Sequence, residues 1–175
     1  MNTASYIKNL YELGLLPQVF PNLKVDILGI DKIGNSKNIK VILAWLLRDN
    51  ANVAKALNEL LYPAEIFDSV QFLINAMNFT PNKIFDIIRK RDENLNKSAS
   101  MQKDLNELSK LVDNPIVARR LNHLVTYKPP VISGEDLKKQ GFKDEQIGKK
   151  RKELTTAHYQ QSFNDFGQSS LEEKV

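Results

Sequence analysis

Ile39-Lys40-Val41-Ile42-Leu43-Ala44-Trp45-Leu46-Leu47 is the stretch on which the fold turns, because eight of its nine residues are apolar. A helix tolerates so continuous an apolar surface only when it is buried on most sides. The stretch therefore predicts a central helix, with Trp45 as core. Ser36 is the expected N-cap and Arg48-Asp49-Asn50 the polar stop.

Working outward, the same period of three to four residues recurs. Val53, Ala54, Leu57, Leu60 and Leu61 share one face of a helix expected near 51–61, which Tyr62-Pro63 ends. Ile66, Val70, Leu73, Ile74 and Met77 mark the next helix. Thr80-Pro81 opens another, carrying Ile84, Phe85, Ile87 and Ile88 and running to Arg89-Lys90-Arg91. The polar residues from Arg91 to Ser100 read as a linker. Leu105, Leu108 and Leu111 mark a helix closed by Asp113-Asn114-Pro115, and Ile116, Val117, Leu121 and Leu124 mark its successor. Tyr127-Lys128-Pro129-Pro130 is the clearest boundary, since two prolines fix an extended segment. Beyond it Ser133 caps a short helix to Gln140, Gly141 ends that helix, and a polar helix runs from about Asp144 to Phe166. Val25 to Ile30 is the best strand candidate, but it is short and contains Gly29. The expectation is an all-α fold: a helical body over residues 1–95, connecting helices over 96–126, a basic helix-turn-helix-like tail over 127–166 and disorder over 167–175.

The 175 residues are 42% hydrophobic and 26% charged, ordinary for a globular chain. No cysteine is present, which excludes disulfides, thiolate zinc sites and a cysteine nucleophile. His123 and His158 are the two histidines, too few for a histidine-rich metal site. The seven glycines form no phosphate-cradling run. A signal peptide and an apolar span of ~18 residues are both missing, so the expected location is cytoplasmic, with no membrane partner. The initial methionine favours a natural start.

Charge is distributed unevenly. Between Lys128 and Lys152 stand eight basic residues and four acidic ones, an excess equal to the +4 of the whole chain. The rest is balanced. A charge run is ordinarily a solvated helix face. Here, however, Lys149-Lys150-Arg151-Lys152 falls in the first half of a helix, where cations oppose the dipole and a phosphate would relieve the conflict. Gly148 would let a backbone approach closely. The candidate RNA-binding residues are Lys128, Lys138, Lys139, Lys143, Gly148, Lys149, Lys150 and Arg151, with Arg120 and Tyr127. Tyr127 has two readings, stacking on a base beside Lys128 or packing against the Pro129-Pro130 bend. Arg48-Asp49 reads as a polar helix terminus, since a metal site would need further ligands, and His158 as an exposed helical residue.

Gly134-Glu135-Asp136-Leu137, followed by Gly141-Phe142-Lys143 and Ile147-Gly148, resembles the C-terminal tail of class II tRNA nucleotidyltransferases, the CCA-adding enzymes, and of related bacterial poly(A) polymerases. That tail often reads G-x-D-L and then G-x-x-P-G-P-x-[IM]-G. Here Asp144-Glu145-Gln146 replaces the Pro-Gly-Pro, one residue shorter. Lys40 to Asp49 is similar to the family's first body helix, Leu57 to Ile66 to its next helix junction, and Leu13-Gly14-Leu15-Leu16-Pro17 to Phe20-Pro21 to the passage before the body. The family's catalytic motifs, G-G-x-x-R-D, D-x-D and E-D-x-x-R, are missing. The resemblance implies a non-catalytic body and tail that hold tRNA or another structured RNA, in a split or truncated enzyme or as a free-standing descendant with another task. It implies no cofactor in this chain: Mg and ATP or CTP would belong to a catalytic head, supplied by a separate nucleotidyltransferase subunit. The alternative is a helical adaptor that binds another protein, its basic tail serving solubility.

Overall fold

A computed structural model describes residues 2–97 and 100–172. Among them are ten α-helices and two short 3₁₀ turns, with no strand. The chain opens with α1 (Thr3–Glu12), capped by the Asn2 side chain, and α2 (Leu16–Val19). A 3₁₀ turn at Ile30–Ile33 leads to α3 (Ile39–Leu46), which buries every residue from Lys40 to Leu46. Asn38, not Ser36, occupies its N-cap position. The Ser36 hydroxyl instead accepts from the Asn38 N–H and pairs with Glu107, tying the start of α3 to a later helix.

Lys40 is the one polar interruption of that apolar run, and it stays buried because its ammonium group reaches Glu65 at 2.7 Å and Ser100 at 3.2 Å. Trp45 donates its indole N–H to the Leu28 carbonyl at 3.1 Å. Its ring lies where a Cβ on Gly29 would come within 3.1 Å, and Gly29 also has a positive φ of 75°. Only glycine meets both demands. Arg48 stacks 4.0 Å from the Trp45 ring and binds Asp26 at 2.7 Å, so it staples the irregular segment before α3 to the central helix.

The body continues through α4 (Val53–Glu59) and α5 (Ala64–Asn78), whose Val70, Leu73, Ile74 and Met77 are buried as their spacing predicts. A 3₁₀ turn at Pro81–Lys83 runs straight into α6 (Ile84–Lys97). The linker expected from Arg91 is therefore helix at least to Lys97, while Ser98 and Ala99 lie outside the described residues. The polar composition misled because Arg91 points inward: it is buried, donating to the carbonyls of Leu124 at 2.9 Å and Tyr127 at 2.7 Å. Next come α7 (Ser100–Leu111) and α8 (Pro115–Thr126), the latter capped by Asn114. One hydrophobic cluster runs from Ala4 through Leu105, Leu108, Leu121 and Leu124 to Tyr159, crossing the boundary expected near residue 95.

The tail consists of α9 (Gly134–Lys139) and α10 (Asp144–Glu172). α10 packs against α6, α8 and α9. Where disorder is expected from Gly167, the backbone is helical to Glu172, and residues 173–175 lie outside the described residues. Gly167 is buried, and a Cβ there would come within 2.6 Å of the Arg119 guanidinium. The missing side chain thus admits Arg119 across α10 rather than ending it. No helix among the described residues is long and apolar enough to cross a membrane.

Candidate nucleic-acid interface

The tail is built by local rules. Ser133 Oγ accepts from the N–H groups of Glu135 and Asp136, while those two acids complement the α9 dipole and Lys138 and Lys139 its other end. Gly141, with φ 94°, supplies the left-handed turn, and the Phe142 N–H returns to the Leu137 carbonyl at 3.1 Å. The Gln146 side chain then closes the start of α10 by accepting from the Lys143 N–H at 3.1 Å.

An aromatic contact holds α10 on the body. Tyr159 lies 4.9 Å, centroid to centroid, from His123 and 5.1 Å from Tyr127, while Arg119 lies 4.3 Å over Phe163. His123 Nε2 and Ser162 Oγ are 2.8 Å apart. Burial, reinforced by the positive charges of Arg91 and Arg119, depresses the His123 pKa to about 4, so its imidazole is neutral at physiological pH. Burial pushes Tyr127 up to about 12 and raises Tyr159 as well, leaving both hydroxyls protonated.

Tyr127 therefore belongs to the body–tail contact and offers no face to a base. It is buried, its hydroxyl 2.9 Å from His158 Nδ1 and its carbonyl held by Arg91. His158 is exposed, as its sequence context suggests. Arg120 is also engaged, reaching the Phe79 carbonyl at 3.4 Å with its guanidinium 4.9 Å from the Phe79 ring. Both side chains make contacts within the protein.

The remaining candidates are on the surface, in two groups. Lys138 pairs with Asp144 at 2.6 Å, Lys139 with Asp136 at 4.0 Å and Lys150 with Glu153 at 3.4 Å. Lys128, Lys143, Lys149 and Arg151 are exposed and make no ion pair among the described residues. The dipole conflict inferred for the cationic run does not arise. α10 begins at Asp144 with two acids in its first turn, so Lys149 is already its sixth residue, and the dipole's effect fades within one turn. Gly148 is interior to the helix, where its N–H belongs to the helical ladder and not to an open anion site.

Successive helical residues diverge by about 100°, so Lys149 to Lys152 do not form one cationic face. Arg151 reaches across to α9 and Lys152 reaches the body. The Arg151 guanidinium passes 3.1 Å from where a Cβ on Gly134 would stand, and the Lys152 ammonium sits 5.7 Å from the Phe85 ring. Between α6, the proline segment and α10 lies a cleft of about 430 Å³. Phe85, Ile88, Pro129, Pro130 and Ile132 give it an apolar lining, with Arg89, Arg151, Asp92 and Glu93 at its edges. Of these body residues none was legible as a site residue, since only the return of the tail onto α6 brings them beside Arg151.

No family model, curated protein or solved structure matches this chain. The chemistry of the surface thus stands by itself. It presents dispersed, solvent-exposed cations along the tail and one cleft that combines an apolar wall with unpaired positive charge. Among the described residues no group of three or more acidic or histidine side chains is placed to hold a metal ion.

Proposed function

We propose that this chain is a non-catalytic RNA-binding module, similar in role to the body and tail of a class II tRNA nucleotidyltransferase, with tRNA or another structured RNA as its partner. The observation that carries the reading is the location of the unpaired charge: the whole chain's excess falls within residues 128–152, and Lys128, Lys143 and Lys149 face solvent there without acidic partners among the described residues. Such side chains contact phosphates, which set affinity and register but carry no base identity. Nucleotide addition would belong to a separate catalytic subunit holding Mg and ATP or CTP, because this sequence contains no D-x-D pair to carry metal-assisted phosphoryl transfer.

Titrating tRNA at several salt concentrations tests the proposal. Each phosphate contact contributes roughly one unit of log–log slope. Replacing Lys128, Lys143 and Lys149 together by glutamine is expected to lower affinity for different tRNAs alike and to flatten the slope by about two to three units. An unchanged slope would remove the tail from the binding surface. A second reading, a protein adaptor, is favoured by apolar side chains exposed at the α1–α2 corner, Tyr11, Leu13 and Val19, and by Leu61, which is 89% exposed with a left-handed φ of 64°. On that reading tRNA binding would be weak at every salt concentration.

A further inference from the structure

We propose that the cleft between α6, the proline segment and α10 holds one unstacked nucleotide of a single-stranded RNA segment, its base against Phe85, Ile132 and Pro130 and its phosphate on Arg151 and Lys152. The inference rests on the RNA-binding reading and adds what that reading leaves open, namely which RNA element the body–tail junction takes.

Three observations converge. First, a cleft of about 430 Å³ falls within the ~300–1,000 Å³ typical of small-ligand sites. Its wall is a phenyl ring, two prolines and two isoleucines, surfaces on which any base can lie flat without sequence preference. Second, the charge at the mouth is net positive once internal pairs are discounted. Asp92 is held by buried Arg91 at 2.6 Å, and Glu93 is shared by Arg89 at 3.7 Å and Lys90 at 3.5 Å. Arg151 and Lys152 have no acidic partner among the described residues. Third, Arg151 lines the cleft, and the Lys152 ammonium lies 5.7 Å from the ring of Phe85, which forms its wall. An anion attached to a planar group in the cleft would meet them.

A paired base cannot enter, because in a duplex its faces are covered by its neighbours and its edge is turned inward. An apolar peptide side chain would fill the wall but leave the two cations without a counter-charge. A nucleotide satisfies both.

The test compares binding of a short oligouridylate, whose bases are little stacked, with binding of a blunt RNA duplex of equal phosphate count. Phe85→Ala is expected to weaken the oligouridylate roughly tenfold or more, through loss of stacking, while leaving the duplex nearly unaffected. Ile132→Glu, in the extended segment outside the helices, places a carboxylate beside the phosphate and is expected to weaken the single strand similarly. It provides the same readout should Phe85→Ala fail to fold. Arg151→Gln is expected to reduce the salt slope by about one unit for the single strand only. If the folded variants bind oligouridylate as tightly as the parent while Lys149→Gln weakens both ligands, the cleft assignment is wrong and the RNA reading stands. If neither ligand binds the parent at low salt, both fail. Competition by an uncharged apolar peptide, with oligouridylate ineffective, would give the cleft to a protein partner and overturn the inference.

Discussion

Arg91 shows how a single charged side chain can do the work of a core residue. Its Nη1 donates to two carbonyls at the end of α8, Leu124 and Tyr127, and its Nε and Nη2 both reach Asp92 Oδ1, at 2.8 and 2.6 Å. The last carbonyls of a helix lack partners within the helix. Arg91 supplies them where water has little access. Replacing it by methionine keeps the length and apolar stem but leaves buried acceptors and Asp92 unpaired, which is expected to cost on the order of 3 kcal/mol. Urea unfolding of Arg91→Met measures this directly, and a loss below about 1 kcal/mol would show that the α8 terminus is satisfied in another way. Its spacing of four from Ile87 and three from Ile88 puts Arg91 on the apolar face of α6, away from Arg89 and Lys90, which are exposed, but no local signal shows that α8 covers that face. The difference is the angle at which each leaves α6.

At the scale of the helix, α10 replaces the expected cationic face with a divided one. Lys149 and Lys143 are directed to solvent, Lys150 is half-buried beside Glu153 and Phe142, Arg151 reaches across to α9 and Lys152 reaches the body. Gly148 lies between these groups in a helix interior, and a Cβ added there meets nothing within 4 Å. Glycine in such a position costs a helix about 1 kcal/mol relative to alanine. Gly148→Ala is therefore expected to raise stability by about that amount and leave RNA affinity unchanged. Thermal unfolding checks the first part and RNA titration the second. A loss of affinity with retained fold would restore the reading of Gly148 as a point of close backbone approach to phosphate.

At the scale of the whole molecule, the tail is joined to the body largely through neutral His123 and its aromatic neighbours Tyr127, Tyr159, Phe163 and Phe166. The folded-state pKa of about 4 lies below the ordinary 6.5, so protonation opposes folding. The contribution is complete above about pH 6.5 and is lost as pH falls toward about 4, a change on the order of 3 kcal/mol. Asp104 titrates in the opposite sense: burial raises its pKa, so its contribution is present in acid and declines as pH rises through that raised value. The comparison of parent with His123→Gln isolates the histidine. Denaturation midpoints between neutral pH and pH about 4 are expected to fall more steeply for the parent, and parallel curves would place His123 outside the coupling of tail to body.

The sequence by itself determined the helical class, most helix positions, the capping of α9 and the central burial of Val41 to Leu47, because these depend on periodicity and on contacts between near neighbours along the chain. The surplus of cations in the tail was legible for the same reason, being a matter of composition. The tertiary structure alone decided which of those cations are paired and which face the body, that Arg91 and Tyr127 are interior, that α6 and α10 extend beyond their expected ends, and that a cleft lies beside Arg151. Each depends on where distant segments meet. A polar residue at the end of an apolar pattern carries the same local signal whether it faces water or a carbonyl more than thirty residues away, and only the packing of α6, α8 and α10 separates the two.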